Sequence, residues 1–472
     1  MIRTAAFGCG LLALTLFGLS LHTPGAGTVG SPEAKVVLVA VLAISASVYL
    51  VSVALCVWRP AGGRAVWLVL AFAVALRVPL IVAPPFLSSD VYRYVWDGRV
   101  QAAGVNPYRY LPNDPALSSL RDDAVWPHIN RADYAPTIYP PMAQAVFAAI
   151  GHIWPTVTGE KIVMFGFEAL AAGCLLALLH SAGLPGERVL IYAWNPLPVW
   201  AFGGNGHVDA VVCGLVALAL LMRVRRWDAM AGVALAAATL TKFLPVIIAP
   251  VMWRQASSLF AGASPASSPP SRPDLARPSP HRRRNAGGTV ARPGWWRMPA
   301  AAVTTAIALY ACYLSVGWKV LGFLSGYGSE EGLENGSGIW LLAGLERLLP
   351  LPHFATAIYM AVLALILVAL GIRYAFIRPP EGPVAVCAAA GVLMTVLMFG
   401  ISPHYPWYFA WLAVPCVLAP NPAVLWLATA PVLLYMDTYG DRFVWPSLVF
   451  APALLLALVR LPKRINECPR QP

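Results

Sequence analysis

Charged residues are scarce in this chain of 472 residues, and their scarcity excludes an ordinary soluble fold. Asp, Glu, Lys and Arg together make up 11% of the sequence, whereas hydrophobic residues make up 59%. A typical soluble domain has about a quarter of its residues charged. The composition therefore predicts an integral membrane protein.

Disulfide pairs, nucleotide-binding loops and metal-ligand clusters are also missing from the sequence. Seven of the eight cysteines lie within apolar runs and Cys468 lies in the tail, so no external loop offers a disulfide pair. Neither a Walker A loop nor a Rossmann glycine fingerprint is present, which argues against a nucleotide-linked substrate. No His/Cys cluster requires a metal and no cofactor is certain, but a divalent cation held by carboxylates stays open.

Apolar runs long enough to cross a lipid bilayer recur from one end of the chain to the other. They include residues 5–21, 36–58, 65–82, 300–316, 354–372 and 384–399. We predict an all-α polytopic membrane protein with roughly 12–14 transmembrane helices, the first of them a retained anchor rather than a cleaved signal. Two apolar stretches are exceptions. Residues 139–154 form a short run that begins with two prolines, and 230–253 is interrupted near Lys242 and Pro245.

The net charge of +12 indicates how the chain is oriented in the membrane, and no nucleic-acid partner is expected. The basic residues cluster between apolar runs, where the positive-inside rule places them in the cytoplasm. This assignment puts the loops 86–140, 319–352, 402–407 and 437–441 outside the cytoplasm. We therefore expect a multi-pass protein of the cell membrane whose polar loops face the extracytoplasmic side.

These patterns divide the chain into six predicted parts. They are N-terminal transmembrane helices at 1–85, a polar external loop at 86–140, transmembrane core helices at 141–254, a linker at 255–299, C-terminal transmembrane helices at 300–460 and a cytoplasmic tail at 461–472. The linker is rich in Ser, Pro and Arg, which predicts a disordered cytoplasmic segment. Contact of its basic run with anionic membrane lipids is the alternative.

The densest polar sequence lies in the loop 86–140 and predicts a short helix with two different faces. Ser89 is placed to cap this helix, whose first turn carries Asp90 near the positive helix end. One face of the helix carries Asp90, Tyr94, Asp97 and Gln101. The other carries Tyr92, Trp96 and Arg99 and is amphipathic enough to rest at the membrane interface. Asp90 is thus a candidate catalytic group, and the candidate substrate-binding residues here are Tyr92, Arg93, Tyr94, Asp97, Arg99, Gln101 and Asn106.

Each of these residues also has a plain structural alternative. Arg93 lies four positions before Asp97, so an intrahelical ion pair is as good an interpretation as a substrate role. The carboxylate of Asp90 has the alternative of acting only as a helix N-terminal charge. The two arginines, Arg93 and Arg99, have lipid headgroups as alternative partners, and the aromatic residues could form an interfacial belt, which is favoured for Trp96.

Further polar residues are predicted at the same face of the membrane. A Gly-rich turn at 203–206 precedes His207 and Asp209, which bind substrate hydroxyls or pair with each other. Lys242 interrupts an apolar stretch, so it needs an anionic partner or a wet cavity. His404 belongs to an external turn at 402–408 whose aromatic residues stack on sugar rings or anchor the chain at the interface. We add His207, Asp209, Lys242 and His404 to the candidate substrate-binding residues.

Together these motifs resemble the GT-C superfamily of membrane glycosyltransferases, and within it glycosyltransferase family 87 and the polyprenyl-phosphomannose-dependent mannosyltransferases. The resemblance rests on short motifs over most of residues 65–255 and near residue 400. They are Ser89-Asp90-Val91-Tyr92-Arg93-Tyr94, Trp96-Asp97-Gly98-Arg99-Val100-Gln101, Gly104-Val105-Asn106-Pro107-Tyr108, Thr137-Ile138-Tyr139-Pro140-Pro141, Asn195-Pro196, Gly206-His207-Val208-Asp209 and Pro406-Trp407-Tyr408.

The resemblance implies an inverting transferase that moves one sugar, expected to be mannose, from a polyprenyl-phosphate carrier to an extracytoplasmic glycan or glycolipid. In such enzymes the acidic residue of the first large outer loop is the candidate base, and here it falls on Asp90. Two spans precede that loop in this chain, whereas the family pattern has one, and the basic linker is not part of that pattern. A lipid phosphate is already a good leaving group, so the reaction needs a base and cations that hold the phosphate.

Two other classes of function stay open at this stage. A transporter or flippase of a lipid-linked saccharide is the first alternative, but transporters place their ionisable residues near the middle of the bilayer. The candidate residues Asp90, Asp97, His207 and His404 are all predicted at one face. A structural subunit that supports a synthase is the second alternative, and in that case substitutions at these residues would leave product formation intact.

Overall fold

The computed structural model describes residues 1–21, 32–253, 294–436 and 443–459. These residues form helices and loops without a β-strand. The longer α-helices are α1 Ile2–Ser20, α2 Pro32–Trp58, α3 Ala65–Val82, α4 Asp90–Ala102, α5 Pro141–Ile153, α6 Val157–Ser181, α7 Asp209–Val224, α8 Asp228–Thr239, α9 Arg297–Ala311, α10 Leu324–Glu330, α11 Trp340–Glu346, α12 Ala355–Ile372, α13 Gly382–Ile401, α14 Pro422–Leu427 and α15 Val444–Leu458.

Shorter helical turns connect these helices. The 3₁₀ segments are Pro115–Leu120, Trp126–His128, Gly186–Val189, Leu244–Ile248, Leu314–Leu321, Pro406–Leu412 and Ala430–Tyr435. Four-residue or shorter α-turns lie at Leu190–Ala193, Pro196–Pro198, Ala249–Met252 and Ala413–Cys416, and π-helical turns lie at Val199–Gly204 and Arg373–Ile377. The predicted external loop 437–441, the tail 461–472 and nearly all of the linker 255–299 fall outside the described residues.

Six of the described helices are long and apolar enough to cross a membrane, namely α1, α2, α3, α6, α12 and α13. The helical pair Arg297–Ala311 and Leu314–Glu330 also meets this criterion but bends by 110°, which gives up to seven candidate spans by length and composition in the described part of the chain. The chain is thus an all-α polytopic membrane protein, as predicted. The expected 12–14 crossings exceed this count because other apolar stretches form short helices, so that number stays a prediction.

Prolines account for two of the short elements. The helix α5 begins at Pro141, directly after the extended Pro140, and its 13 residues span about 20 Å, less than the bilayer core. The stretch 230–253 is interrupted as predicted, because α8 ends at Thr239 and a 3₁₀ turn with Pro245 near its start follows Lys242. This break leaves Lys242 in a turn between two helices.

The helix α4 packs against α5 at a crossing made by two glycines. A Cβ atom on Gly98 would collide with the backbone of Phe147, and one on Gly151 would collide with the backbone of Gly98. Only glycine allows this close approach, and residues 91–98 of α4 are all buried. The predicted interfacial face of α4 is therefore wrong for Trp96, which is 1% exposed and packs on Trp126 with ring centroids 5.2 Å apart.

Buried charges tie the membrane helices together close to α4. The Arg77 guanidinium on α3 donates to both carboxylate oxygens of Glu168 on α6, at 2.6–3.0 Å, and to the Ala193 carbonyl oxygen at 2.7 Å. Lys161 donates to the carbonyl oxygens of Leu80, in the last turn of α3, and Ala83, directly after it. The Arg77–Glu168 ion pair and the two Lys161 hydrogen bonds thus connect α3 and α6.

The second half of the chain reaches back onto the loop after α4. Gly322 has a φ of 57°, and a side chain at this position would collide with the Thr137 carbonyl oxygen. The following residue, Phe323, donates its backbone N–H to the same oxygen at 3.2 Å. This contact sets α10 beside the loop 86–140, where the two halves of the chain enclose a pocket.

Candidate active site

A pocket of about 530 Å³ lies where four separate stretches of the chain meet. Its lining comes from residues 87–90 with 130–140, from 242–244, from 324–338 and from 401–408. Apolar side chains form much of the wall, namely Leu87, Ile138, Phe243, Leu244, Leu324, Leu333 and Ile401. Ionisable side chains are grouped within it, namely Asp90, Arg131, Lys242, Glu331 and His404. The pocket therefore suits a ligand with an apolar part and a charged part.

Asp90 stands in the first turn of α4 with its side chain 18% exposed. Its Oδ1 accepts a hydrogen bond from the Asn130 side chain at 2.8 Å. Ser89 occupies the N-cap position, but its hydroxyl does not cap the helix; instead the Asp90 backbone N–H donates to Ser88 Oγ at 3.3 Å. The predicted capping role of Ser89 is thus wrong, because the preceding serine takes it.

The electrostatic surroundings of Asp90 favour a base. Burial raises the pKa of the Asp90 carboxyl above its usual value, although the hydrogen bond from Asn130 and the charges of Lys242 and Arg131 lower it in part. A carboxylate whose pKa is raised in this way binds a proton more readily than an exposed aspartate does. Its other oxygen, Oδ2, accepts no hydrogen bond from the described residues, since His207 Nδ1 lies 3.8 Å away.

The Gly-rich turn at 203–206 holds the residues that precede Asp90. Asn205 Oδ1 accepts the backbone N–H groups of Phe86, Leu87 and Ser88 at 2.9–3.2 Å, which fixes the chain in front of Asp90. His207 is fully buried and stacks on the Trp407 ring with a centroid distance of 3.7 Å. Burial and the nearby charge of Lys242 lower the pKa of His207 well below its usual value, so the imidazole is neutral.

Lys242 and Asp209 form the ion pair that the lysine was predicted to need. The Lys242 ammonium lies 2.8 Å from Asp209 Oδ2 and 3.9 Å from the centroid of the Tyr408 ring. The same lysine lines the pocket. Both conditions set by the sequence are therefore met, since Lys242 has an anionic partner and also faces a cavity.

Two consecutive glutamates, Glu330 and Glu331, lie at the end of α10, and the second of them lines the pocket. Glu330 accepts from the Arg131 guanidinium at 2.8 Å, and the Tyr405 hydroxyl lies 3.4 Å from Arg131 Nη2. Arg131 has a φ of 56°, which is uncommon for a residue with a side chain and costs about 1–3 kcal/mol. Glu331 lies beside His404, with 3.1 Å between the carboxylate Oε2 and Nδ1.

Most other predicted residues of α4 lie behind the pocket rather than in its wall. Arg93 and Asp97 form a buried ion pair at 2.9 Å, the structural alternative that the sequence left open. Tyr94 is buried and stacks on Phe147 with a centroid distance of 4.7 Å. Tyr92 lies against the His128 ring at a centroid distance of 4.6 Å.

The remaining predicted residues are held by other parts of the fold. Arg99 donates to Asp122 at 2.5 Å and to the Pro155 carbonyl oxygen. Gln101 bonds to the Gln144 side chain at 2.8 Å and accepts from the Tyr313 hydroxyl at 3.0 Å. Asn106 donates to the Tyr313 carbonyl oxygen at 3.1 Å. A substrate role for these residues stays a prediction, and their contacts favour a supporting role.

Sequence reasoning missed several residues that the pocket contains. Asn130, Arg131, Tyr327 and Glu331 line it, yet none belongs to a recognised motif. The aromatic turn 402–408 supplies pocket lining and not a belt, because Trp407 packs on His207 and the Tyr408 hydroxyl bonds to that of Tyr327 at 2.9 Å. Among the described residues, no group of three or more His, Cys, Asp or Glu is arranged to hold a metal ion.

Comparison with known proteins identifies relatives of the first half of the chain. Residues 1–257 match the profile of the MptA_B family, which is described as "Alpha-(1->6)-mannopyranosyltransferase, N-terminal domain". A Corynebacterium glutamicum protein called "Alpha-(1->6)-mannopyranosyltransferase A" is 27% identical over 176 residues, which are 34% of this chain and 33% of that protein. The match thus spans about a third of this relative's length. No solved structure matches the chain.

Proposed function

The chain belongs to the MptA_B family, and on that premise we propose that it transfers mannose from a polyprenyl-phosphate carrier to a glycan or glycolipid acceptor, with inversion at the anomeric carbon. The proposed place of the reaction is the extracytoplasmic face of the cell membrane. The observation that carries the proposal is the pocket, which combines the carboxylate of Asp90 and the cation of Lys242 with an apolar wall. A lipid-linked sugar phosphate has the complementary parts.

In this proposal Asp90 is the general base. Its free oxygen takes the proton of the acceptor hydroxyl while the acceptor oxygen forms a bond to the anomeric carbon. The bond from that carbon to the phosphate oxygen breaks, and its electron pair stays on the phosphate. Attack from the side opposite the phosphate inverts the anomeric centre, so a β-linked donor gives an α-mannoside.

The cations of the pocket hold the phosphate of the donor. Lys242 is balanced by Asp209 and lies at the edge of the apolar wall beside Phe243 and Leu244. A phosphate bound there would lie next to Lys242 and His404, while the prenyl chain would follow the apolar residues. Charge-assisted hydrogen bonds of this kind are among the stronger contacts that a protein makes to an anion.

A transporter or flippase of a lipid-linked saccharide is the alternative. It would need ionisable groups that face a path through the membrane. The described spans contain Glu160 and Lys161 near the start of α6, both 0% exposed, and the buried ion pair of Arg77 and Glu168. Both partners are 2–3% exposed and bonded to each other, so they do not line a path. The pocket of about 530 Å³ instead groups its ionisable residues around Asp90, which favours the transferase.

The test uses the full-length protein in lipid vesicles with radiolabelled polyprenyl-phosphomannose and a mannan or mannolipid acceptor. We expect a labelled α-mannoside in the acceptor fraction and no product from a nucleotide-linked mannose. The Asp90→Asn protein, prepared in parallel, reports the background. Movement of labelled lipid across the vesicle membrane without formation of a glycoside would overturn the proposal in favour of the flippase.

The proposed location of the site is tested separately by cysteine labelling of intact cells with an impermeant thiol reagent. In a background without native cysteines, Ser118→Cys in the loop after α4 should react, and Ser181→Cys at the end of α6 should not. Both serines are exposed, so accessibility on the protein itself is matched. Labelling of Ser181→Cys alone would place the pocket on the cytoplasmic side.

A further inference from the structure

Glu331 and His404 form a carboxylate–imidazole pair in the wall of the pocket. The two side chains are 10% and 9% exposed, and both residues line the cavity that holds Asp90 and Lys242. They lie 73 positions apart in the sequence, and both are beyond the stretch that matches the family profile. The pair is thus built by the second half of the chain.

The carboxylate decides which ring nitrogen of His404 faces the ligand. An ionised carboxylate only accepts hydrogen bonds, so the proton between the two groups belongs to Nδ1. Nε2 is then the nitrogen left for the pocket. Within the described part of the chain, Nε2 has no protein hydrogen-bond partner and does not belong to the fully buried polar atoms.

We infer that Glu331 is a positioning residue that holds His404 against the departing phosphate. The inference rests on the proposed function, since it assumes a lipid-phosphate donor. With Nδ1–H directed to Glu331, a hydrogen bond from Nε2 to a phosphate oxygen requires the imidazolium, and Glu331 balances its charge at a distance of 3.1 Å. Glu331 touches neither substrate and acts through the ring.

The contact gains strength as the reaction proceeds. The donor is a phosphodiester with one negative charge, and a second charge develops on the phosphate when the bond to the anomeric carbon breaks. The acceptor proton moves to Asp90, so no proton has to leave His404, which only donates a hydrogen bond from Nε2. Because the imidazolium N–H is already held in position, its hydrogen bond stabilises this developing charge more than it stabilises the phosphate of the bound substrate.

The difference between the two charge states gives a direct test. Free polyprenyl phosphate, the product, carries a second negative charge that the sugar donor lacks. Its binding affinity should therefore depend more on His404 than the affinity of the sugar donor does. We expect the inhibition constant of polyprenyl phosphate to rise about tenfold in Glu331→Gln, as for the loss of a hydrogen bond to a charged group. The KM of the donor should change by less than about threefold, while kcat falls.

Three further variants make the measurement decisive. Glu334→Gln removes the same charge from an exposed position of the same segment and should leave both constants unchanged. Glu331→Asp should restore part of the product affinity. His404→Gln should reproduce the effect of Glu331→Gln, and the double variant should lose no more than either single variant, because the two residues act as one unit.

An unchanged inhibition constant in Glu331→Gln would overturn the inference, as would a parallel rise of the inhibition constant and the KM. Additive losses in the double variant would also overturn it, since the residues would then act separately. Failure of the proposed function gives a different result: the wild-type protein itself would form no mannoside from polyprenyl-phosphomannose, and inhibition could not be measured.

Discussion

The helix Asp90–Ala102 carries two carboxylates whose surroundings are opposite. Asp90 lies at the pocket with one oxygen bonded to Asn130 and the other available to a ligand. Asp97 lies two turns later and is 2% exposed, where it accepts from Arg93 at 2.9 Å and from Gln144 at 2.9 Å. Both oxygens of the second carboxylate therefore accept from side chains, whereas among the described residues only one oxygen of the first does.

The difference arises from what packs against each of the two carboxylates. Gly98 and Gly151 let α4 and α5 approach closely at this point. Asp97 is buried beside this crossing and accepts a hydrogen bond from Gln144 of α5. The helix begins at the pocket, so Asp90 stays within reach of a substrate. A carboxylate with a free oxygen can take up a proton, whereas one that is fully bonded by cations and amides fixes the structure.

The largest expected effect follows from replacing the available carboxylate. Asp90→Asn keeps the size of the side chain and most of its hydrogen bonding, but it cannot accept the proton of the acceptor hydroxyl. We expect kcat/KM for mannose transfer to fall by at least about 10²–10⁴-fold, the contribution of positioned acid–base catalysis. Vesicle assays with labelled polyprenyl-phosphomannose measure it.

Donor binding serves as the control for this variant. The Asp90→Asn protein should still bind polyprenyl-phosphomannose, because Lys242 and His404 are unchanged. Turnover near the wild-type rate would remove Asp90 from the role of base, and Asp97, on the same face of α4, would be the next residue to examine.

Replacing the sealed carboxylate should affect stability instead. Asp97→Asn leaves the buried guanidinium of Arg93 without its anionic partner, and removal of one member of a buried pair costs about 3–5 kcal/mol. We expect a lower midpoint of thermal unfolding in detergent, with kcat/KM per folded molecule close to the wild type. Full stability combined with lost activity would reverse the comparison and give Asp97 a substrate role.

The cation of the pocket provides a smaller effect that separates binding from proton transfer. Lys242→Met removes the ammonium next to the proposed phosphate position, so the KM of the donor should rise about ten- to a hundredfold, as for a lost hydrogen bond to a charged group. Lys319→Met, at an exposed position, is the matched control and should bind the donor normally. Unchanged donor affinity in a well-folded Lys242→Met protein would make Lys242 only the partner of Asp209.

The sequence allowed the fold class and the short elements to be predicted, because these depend on local properties. Apolar length predicted the membrane helices, and prolines predicted the short helix after Pro140 and the break before Pro245. Asp90 and Lys242, which line the pocket, were candidates from the sequence, since a carboxylate in a first helical turn and a cation in an apolar stretch are unusual on their own.

The remainder of the site depends on contacts between distant parts of the chain. Arg131 and Glu330 are 199 positions apart, and each is ordinary in its own sequence surroundings. The helical period placed Asp90 and Asp97 on one face, but it could not show that α5 packs against Asp97 while Asp90 stays at the pocket. Close packing at two glycines decides this, and it becomes visible only when both helices are placed.

The smallest expected effect concerns Asn130, which holds Asp90 in its ionised form. Burial raises the pKa of Asp90, whereas the hydrogen bond from Asn130 stabilises the charged carboxylate and lowers that pKa. Because the base must be ionised, kcat/KM should fall as the pH drops through the pKa of Asp90 in the free enzyme. In Asn130→Ala the hydrogen bond that lowers the pKa of Asp90 is lost, so the acid limb of the pH profile should move to higher pH. At pH values above this limb, kcat/KM should change little. Asn113→Ala is the control, since Asn113 is exposed on the same loop and its side chain donates to Asp133 and not to Asp90. A pH profile that does not move, or that moves to lower pH, would mean that Asn130 does not set the charge of Asp90.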